Sequence, residues 1–124
     1  MKEKIWQKNF QEKLRGFVNE RDWEQFHHPK NLVLALVGEV GELVEHFTWL
    51  DQAEADKIME GPVREAVEDE LADVFIYLLR LTDVLGVDLE EVFEMKLEKN
   101  KKKYPVELCR EWNFAKRSRL NLRT

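Results

Sequence analysis

The sequence predicts an all-α domain, and three observations support this prediction. Apolar residues recur at helical spacing along most of the 124 residues. Only five Gly and three Pro interrupt the chain, so long helices are expected. The composition is 44% hydrophobic and 36% charged, which is typical of a globular domain, and no segment carries a clear strand pattern. A chain of this length is expected to form one domain with a modest core.

The first two long helices flank an aromatic-rich loop. The first helix is indicated by apolar residues at helical spacing, namely Ile5, Trp6, Phe10, Leu14, Phe17 and Val18. It is predicted to end near Arg21. Residues 22–30 form a loop closed by Pro29, and aromatic residues in a polar loop often contribute to binding. Asn31 is a suitable N-cap for a second helix over residues 32–49.

The positions of Gly and Pro predict the boundaries of the remaining helices. Residues 51–61 are polar and leave room for a short helix, so the bundle has four to five helices. Pro62 suits the first position of a third long helix, which ends where Gly86 provides a C-terminal cap. A fourth helix begins at Asp88 and ends before Pro105. We expect residues 1–107 to form the domain and residues 108–124 to form a basic tail.

Overall charge and cysteine content narrow the class of protein. A net charge of -5 argues against binding to nucleic acid by the chain as a whole. The single Cys109 cannot form an internal disulfide and lies outside any Cys/His metal spacing. The first thirty residues lack a signal-peptide pattern, and no apolar run reaches membrane-spanning length. We therefore expect a cytoplasmic protein without membrane or nucleic-acid partners.

Four acidic residues fall on the apolar sides of the second and third helices. Glu39 and Glu42 form one pair at i, i+3, and Glu70 and Asp73 form another. An inward carboxylate is costly unless a cation or a proton accompanies it. Oxygen ligands without Cys or an obligatory His suit Mg²⁺ or Mn²⁺, and Mg²⁺ keeps positions for substrate phosphates. The spacing therefore indicates a metal site for phosphate chemistry.

Two other interpretations of these acidic residues stay open at this point. Acidic residues at i, i+3 on a helix are commonly a solvated face or salt-bridge partners. A ferritin-like di-iron site is the other alternative, but it requires Glu-x-x-His pairs. Here His46 follows Glu42 by four residues, and no second pair of that kind exists.

The acidic motifs, in order, resemble those of a known family. Residues 38–43 (Gly-Glu-Val-Gly-Glu-Leu) followed by residues 70–73 (Glu-Leu-Ala-Asp) resemble the E-x-x-E … E-x-x-D signature of the MazG-like all-α nucleoside triphosphate pyrophosphohydrolases. Residues 20–27 (Glu-Arg-Asp-Trp-Glu-Gln-Phe-His) are similar to the dCTP pyrophosphatase branch of that family. The fourth helix resembles that branch through Lys96, Asn100 and residues 103–105. The resemblance covers roughly residues 5–107.

This resemblance implies a fold, a metal and a set of site residues. It implies a dimer-based tetramer in which helices of two subunits complete each active site. It implies Mg²⁺ held by the two acidic pairs, Glu39, Glu42, Glu70 and Asp73. It also implies a base pocket built from Trp23, Glu24, Gln25, Phe26, His27, Trp49 and Tyr77. The two lysines and the asparagine of the fourth helix, Lys96, Asn100 and Lys103, would hold the phosphates.

The residues themselves leave several of these roles open. Trp49 and Tyr77 are either stacking partners for a base or ordinary core aromatics. Lys96 and Lys103 either bind phosphates or only complement the helix dipole. Lys103 stands where relatives often carry Arg, which differs in phosphate geometry. Leu14 stands where a relative places a ligand-contacting His.

The expected function is Mg²⁺-dependent hydrolysis of dCTP, or of a modified dCTP, to dCMP and pyrophosphate. Water would attack the α-phosphorus, with Glu39 or Glu42 as the candidate general base. The same hydrolysis of dUTP or another non-standard triphosphate is one alternative. A non-catalytic helical oligomer that binds nucleotides, or nucleic acid through its basic tail, is the other.

Overall fold

A computed structural model describes the backbone of residues 5–122 and the side chains of residues 5–117. This part of the chain contains α-helices, two single-turn 3-10 helices and no strand, which confirms the predicted all-α class. The α-helices are α1 Ile5–Glu20, α2 Pro29–Glu45, α3 Gln52–Asp56, α4 Arg64–Leu85, α5 Leu89–Lys103 and α6 Val106–Leu122. The 3-10 helices are Glu24–Phe26 and Ile58–Glu60.

The chain forms two compact units whose boundary lies between Asp88 and Leu89. In the first unit α4 is the element against which both α1 and α2 pack. The apolar side chains buried in the described part of the chain are Val18, Leu32, Ile58, Val67 and Leu79. These residues come from α1, α2, α4 and the second 3-10 helix, so the core lies where those elements meet α4.

Polar side chains are also buried between α1 and the end of α4. Gln7 Nε2 donates a hydrogen bond to the carbonyl of Val87 at 2.9 Å. Gln11 Nε2 lies 3.5 Å from the hydroxyl of Thr82, which itself donates to the carbonyl of Leu79 at 2.8 Å. Because Gln7, Gln11 and Thr82 each have a partner, α1 is held in one register along α4.

Helix α2 starts and ends earlier than the sequence predicts. Its N-cap is His28 and Pro29 is its first residue, because proline suits the first helical position. The predicted cap, Asn31, lies inside the helix, and its Nδ2 donates to the carbonyl of Phe26 at 3.0 Å. The helix ends at Glu45 rather than at Trp49. Just beyond its end, the hydroxyl of Thr48 donates a hydrogen bond to the carbonyl of Val44 at 2.8 Å.

The other predicted boundaries lie close to the observed ones. The polar segment over residues 51–61 contains α3. Asp51 and Glu54 form a capping box at its start, in which each side chain accepts a hydrogen bond from the backbone N–H of the other residue. Helix α4 begins at Arg64, after Pro62. It ends at Leu85, and the capping residue Gly86 has a φ of 69°, the left-handed conformation that glycine adopts without strain.

In the second unit α5 ends at Lys103, before Pro105, as predicted. The segment after Pro105 differs from the expected tail, because Val106–Leu122 is the helix α6. The sequence did not predict this helix, because the basic composition of the segment says little about its backbone conformation. The division into a domain over residues 1–107 and a tail over residues 108–124 stays a prediction.

No helix in the described residues is long and apolar enough to cross a membrane. Helical spacing puts Phe75, Ile76 and Leu79 away from the face of Glu70 and Asp73, which predicts that they are free to face a second subunit. For Leu79 this prediction is wrong, because it is only 3% exposed within the chain. Phe75 is 38% exposed and packs its ring against Trp6 and Phe10 of α1, with ring centroids 6.4 and 6.0 Å away. The apolar groove beside these residues has a volume of about 340 Å³.

Candidate metal centre and base pocket

Three of the four predicted acidic ligands come together between α2 and α4. One carboxylate oxygen from each of Glu39, Glu70 and Asp73 lies within 4.8 Å of the other two. The i, i+3 spacing on α4 places Glu70 and Asp73 on one face, and the packing of α2 on α4 brings Glu39 against them. Glu42 is more exposed and lies outside this group of three oxygens.

The donor set fits a hard divalent cation. Oε2 of Glu39 and Oε2 of Glu70 are buried and accept no hydrogen bond in the described structure. A buried oxygen without a partner is unusual, because the lost hydration is not replaced. A cation bound by oxygen ligands would replace it, and carboxylates without sulfur or imidazole suit Mg²⁺ or Mn²⁺. These three residues could therefore hold a metal ion, with Glu42 beside them.

Burial and the close approach of the carboxylates raise the pKa values of Glu39 and Glu70. Burial raises the pKa of Glu39 to about 7, and the hydrogen bond and charge of Glu42 add to that effect. The negative charges of Asp73 and Glu70 raise the pKa of Glu39 further. The pKa of Glu70 is also raised, again by burial first and then by Glu42 and Asp73. Without a cation the cluster thus retains a proton that isolated carboxylates would lose.

A cavity of about 240 Å³ opens beside the carboxylates. Its walls come from α1, α2, α4 and the segment between α1 and α2, and the residues are Leu14, Phe17, Val18, Trp23, His27, Glu39, Asp73, Ile76, Tyr77 and Arg80. Trp23 is held edge-on against Phe17, with 5.6 Å between ring centroids. The cavity therefore joins an aromatic wall to two of the acidic ligands.

Among the predicted base-pocket residues, Trp23, His27 and Tyr77 line this cavity, and the other four do not. Gln25 uses its Nε2 to donate to the carbonyl of Asp22 at 3.1 Å. Glu24 is exposed, Phe26 is 59% exposed, and Trp49 is 91% exposed beyond the end of α2. Leu14, which stands where a relative has a histidine, is an apolar part of the wall.

The three predicted phosphate-binding residues lie in the second unit, on α5. Lys96 and Lys103 are exposed, and Asn100 is half-buried. The Nζ atom of Lys103 lies 5.4 Å from the ring centroid of Tyr104, within the range of a cation–π contact. Their spacing of i, i+4 and i+7 puts them on one face of α5, and their phosphate-binding role stays a prediction.

Sequence reasoning missed Arg80 as a residue of the cavity wall. Its side chain is only 10% exposed, and its Nε donates to Nδ1 of His27 at 3.0 Å. A signal was present, because Arg80 is the one charge in the apolar run over residues 74–81. A charge in such a run needs a partner inside the fold, and Asp83, three residues further on, is one. The hydrogen bond to His27, however, joins residues 53 positions apart in sequence.

Comparison with known proteins agrees with the architecture and the acidic motifs. The sequence profile of the MazG-like family matches residues 35–113, which include all four acidic residues. The chain is 50% identical to dCTP pyrophosphatase 1 of Rattus norvegicus and 48% identical to that of Homo sapiens, in both cases over 95 residues. These matches cover 76% of this chain and 56% of each relative, so the chain spans little more than half their length.

A solved structure gives the same result at the level of the fold. The crystal structure of a pyrophosphatase from Archaeoglobus fulgidus DSM 4304 is similar with a TM-score of 0.72 and 42% sequence identity. The similarity covers 76% of this chain and 87% of that one. With the profile match over more than half of its residues, this likeness shows that the chain belongs to the MazG-like family.

Proposed function

We propose that this protein is a metal-dependent pyrophosphohydrolase that cleaves dCTP to dCMP and pyrophosphate. The observation that carries the proposal is the pair of buried, unpartnered oxygens of Glu39 and Glu70 beside a cavity with aromatic walls. The similarity to dCTP pyrophosphatase 1 of rat and human supports dCTP as the substrate.

Mg²⁺ is the proposed ion, held by Glu39, Glu70 and Asp73 with Glu42 beside them. When bound, it would supply Lewis-acid chemistry, namely activation of the attacking water and neutralisation of charge on the phosphates. The carboxylates would lose their shared proton on binding it, because the same oxygens cannot hold both. Mn²⁺ has similar ligand preferences and is the expected substitute.

The reaction needs one proton acceptor close to the α-phosphorus. Water would form a bond to that phosphorus, and the bond from the phosphorus to the oxygen bridging to the β-phosphate would break. The products are dCMP and pyrophosphate, and the proton of the attacking water passes to a carboxylate. Glu39 and Glu42 are both proposed for this role, since Glu39 is one of the three grouped carboxylates and Glu42 lies beside it.

The cytosine ring is proposed to lie between the aromatic side chains of the cavity. Trp23 and Tyr77 offer planar faces for stacking, and His27 offers a ring nitrogen to the edge of the base. Lys96, Asn100 and Lys103 are proposed to hold the β- and γ-phosphates. Trp49, exposed in the single chain, is proposed to complete the pocket of a neighbouring subunit.

We further propose that copies of the chain assemble into a dimer-based tetramer. Support comes from apolar side chains on α2 that the single chain leaves uncovered, namely Val33, Val37, Val40 and Val44. These residues recur at i, i+4, i+7 and i+11, which forms one stripe along the helix. A second copy of the same helix would cover it.

A pyrophosphate-release assay over a panel of nucleoside triphosphates tests the proposed activity. We expect turnover of dCTP with Mg²⁺, its loss when a chelator is added, and its return with excess Mg²⁺. Faster hydrolysis of dUTP or of a purine triphosphate would contradict the proposed specificity but keep the reaction. Binding of dCTP without any pyrophosphate release, at every metal tested, would instead favour a non-catalytic nucleotide-binding protein.

A further inference from the structure

A continuous chain of charged and polar groups leads from the surface of α1 into the base cavity. Arg15 holds Asp83 with two hydrogen bonds, from Nε to Oδ2 at 2.6 Å and from Nη2 to Oδ1 at 2.9 Å. Nη1 of Arg80 donates to the same Oδ2 at 3.3 Å. Nε of Arg80 then donates to Nδ1 of His27 at 3.0 Å. The proposed function gives His27 a role but does not explain this series of hydrogen bonds.

The geometry decides which nitrogen of His27 carries a proton. An arginine Nε always bears hydrogen and can only donate, so Nδ1 of His27 must accept and must be unprotonated. The neutral ring then has its hydrogen on Nε2. Burial lowers the pKa of His27, and the charge of Arg80 lowers it further, so the ring is neutral near pH 7.

We propose that Arg80 is a positioning residue for base recognition, which fixes His27 in the tautomer that offers Nε2–H to an acceptor atom on a pyrimidine ring. This inference rests on the proposed function. His27 lines the cavity together with Trp23 and Tyr77, so its free donor belongs to the site where a base would stack. Among the described residues, no group accepts a hydrogen bond from Nε2.

The chemistry of the ligand follows from a donor at that position. The ring of a pyrimidine presents a carbonyl oxygen at position 2, and cytosine adds an unprotonated ring nitrogen at position 3. Either atom accepts from Nε2–H. The opposite tautomer would offer a lone pair there, which meets the acceptors of cytosine unfavourably and leaves them unpaired.

Arg80 is suited to this role because its own orientation is fixed. Its Nη1 donates to Oδ2 of Asp83, which is 14% exposed and lies three residues further along the same helix. The planar guanidinium can therefore bond Asp83 through Nη1 and His27 through Nε at the same time. A lysine has no such fork, so Arg80→Lys would keep the charge next to Asp83 and lose the fixed geometry towards His27.

Nitrogen-15 NMR of the histidine side chains tests the tautomer directly, in the full chain without nucleotide. We expect His27 of the unsubstituted protein to be protonated at Nε2 and unprotonated at Nδ1. In Arg80→Met, we expect a mixture of both tautomers. A hydrogen on Nδ1 in the unsubstituted protein would overturn the proposal, whether or not the protein hydrolyses dCTP.

Steady-state kinetics with dCTP and Mg²⁺ test the link to recognition. We expect Arg80→Met and His27→Phe each to raise KM about tenfold with little change in kcat, which is the scale of one lost hydrogen bond. The double variant should be no worse than His27→Phe alone, because Arg80 acts through His27. Additive losses, or a fall in kcat with an unchanged KM, would overturn the proposal.

Arg15→Met is the matched control for these variants. It removes a cation from the same chain of groups but leaves both hydrogen bonds of Arg80 in place. We expect its KM and the tautomer of His27 to equal those of the unsubstituted protein. A tenfold rise in KM for this variant would overturn the proposal, because the effect would then come from Asp83 and the helix packing rather than from His27.

Discussion

The carboxylate of Glu39 lies among like charges in a half-buried position, and a bound cation would remove that conflict. Its pKa of about 7 measures how strongly the metal-free site prefers a proton over a negative charge. Single polar residues of this kind show more about function than the apolar core does, because like charges stay crowded together only where something else, such as a bound ion, balances them.

Replacing one ligand tests the metal centre at the scale of a residue. We expect Glu39→Gln and Asp73→Asn each to lower Mg²⁺-dependent turnover by at least about 100-fold, since losing even an outer partner of a metal ligand costs about 10–100-fold. Asp69→Asn is the matched control, because Asp69 is an exposed acidic residue on the same helix. Equal activity in all three variants would refute the assignment of the ligands.

The raised pKa of Glu39 predicts how metal-free stability depends on pH. The folded protein holds the proton up to about pH 7, whereas the unfolded chain releases it near the ordinary value of 4.5. The contribution of Glu39 to stability is therefore present at low pH and is lost as the pH rises through about 7. Glu39→Gln cannot lose a proton, so its stability should fall less over this range.

Thermal denaturation in a chelator, at a series of pH values, measures this difference. We expect the melting temperature of Glu39→Gln to exceed that of the unsubstituted protein above about pH 7, and the two to converge towards pH 4.5. With saturating Mg²⁺ the unsubstituted protein should regain its stability, because ligand binding stabilises the folded state. Parallel curves for the two proteins would show that Glu39 titrates normally.

The sequence predicts which faces of the helices carry these carboxylates, but it does not predict the contacts around them. Periodicity alone placed Glu39, Glu70 and Asp73 on inward faces, because the spacing within one helix is fixed by its geometry. The bond from Arg80 to His27 joins residues far apart in the chain. Such a contact depends on how the helices pack, which no local pattern encodes.

At the scale of helices, boundaries were predictable where one residue decides them. Gly86 ends α4 because a left-handed conformation favours glycine, and Pro105 ends α5 because it cannot continue a helix. The start of α2 was predicted wrongly, because Asn31 is a good cap by type but Pro29 fits the first position better. Helix α6 was missed, since no strong apolar periodicity marks it.

Two glycine substitutions, one within a helix and one at the end of a helix, are expected to change stability in opposite directions. Gly16 lies within α1, and a Cβ atom added there meets no atom within 4 Å. We expect Gly16→Ala to raise the free energy of unfolding by about 1 kcal/mol through helix propensity. Gly86→Ala should lower it by about 1–2 kcal/mol, because φ is 69° there. Urea denaturation measures both, and the same sign for the two variants would contradict this account.

For the whole molecule, the main observation is how much apolar surface a single chain leaves exposed. Val37 is 62% exposed and Val44 is 53% exposed, on a helix that also packs on α4. Large contiguous apolar patches on a soluble chain commonly mark interaction surfaces. The stripe on α2 therefore favours self-association.

Light scattering with size-exclusion chromatography tests the proposed assembly. We expect a tetramer for the unsubstituted protein and a smaller species for Val37→Glu, because a charge cannot be buried in an apolar interface without a partner. Glu45→Lys, which changes charge on α2 away from the stripe, is the control and should remain a tetramer. A fully active monomer would refute both the interface and the shared site.

In the proposed reaction, the carboxylates of Glu39, Glu70 and Asp73, with Glu42 beside them, direct water to the α-phosphorus of dCTP. Hydrolysis in water enriched in oxygen-18, followed by phosphorus NMR and mass spectrometry of the products, tests it most directly. We predict one labelled oxygen in dCMP, unlabelled pyrophosphate, and no product from Asp73→Asn over the same time. Label in pyrophosphate, or formation of dCDP and phosphate, would contradict the claim.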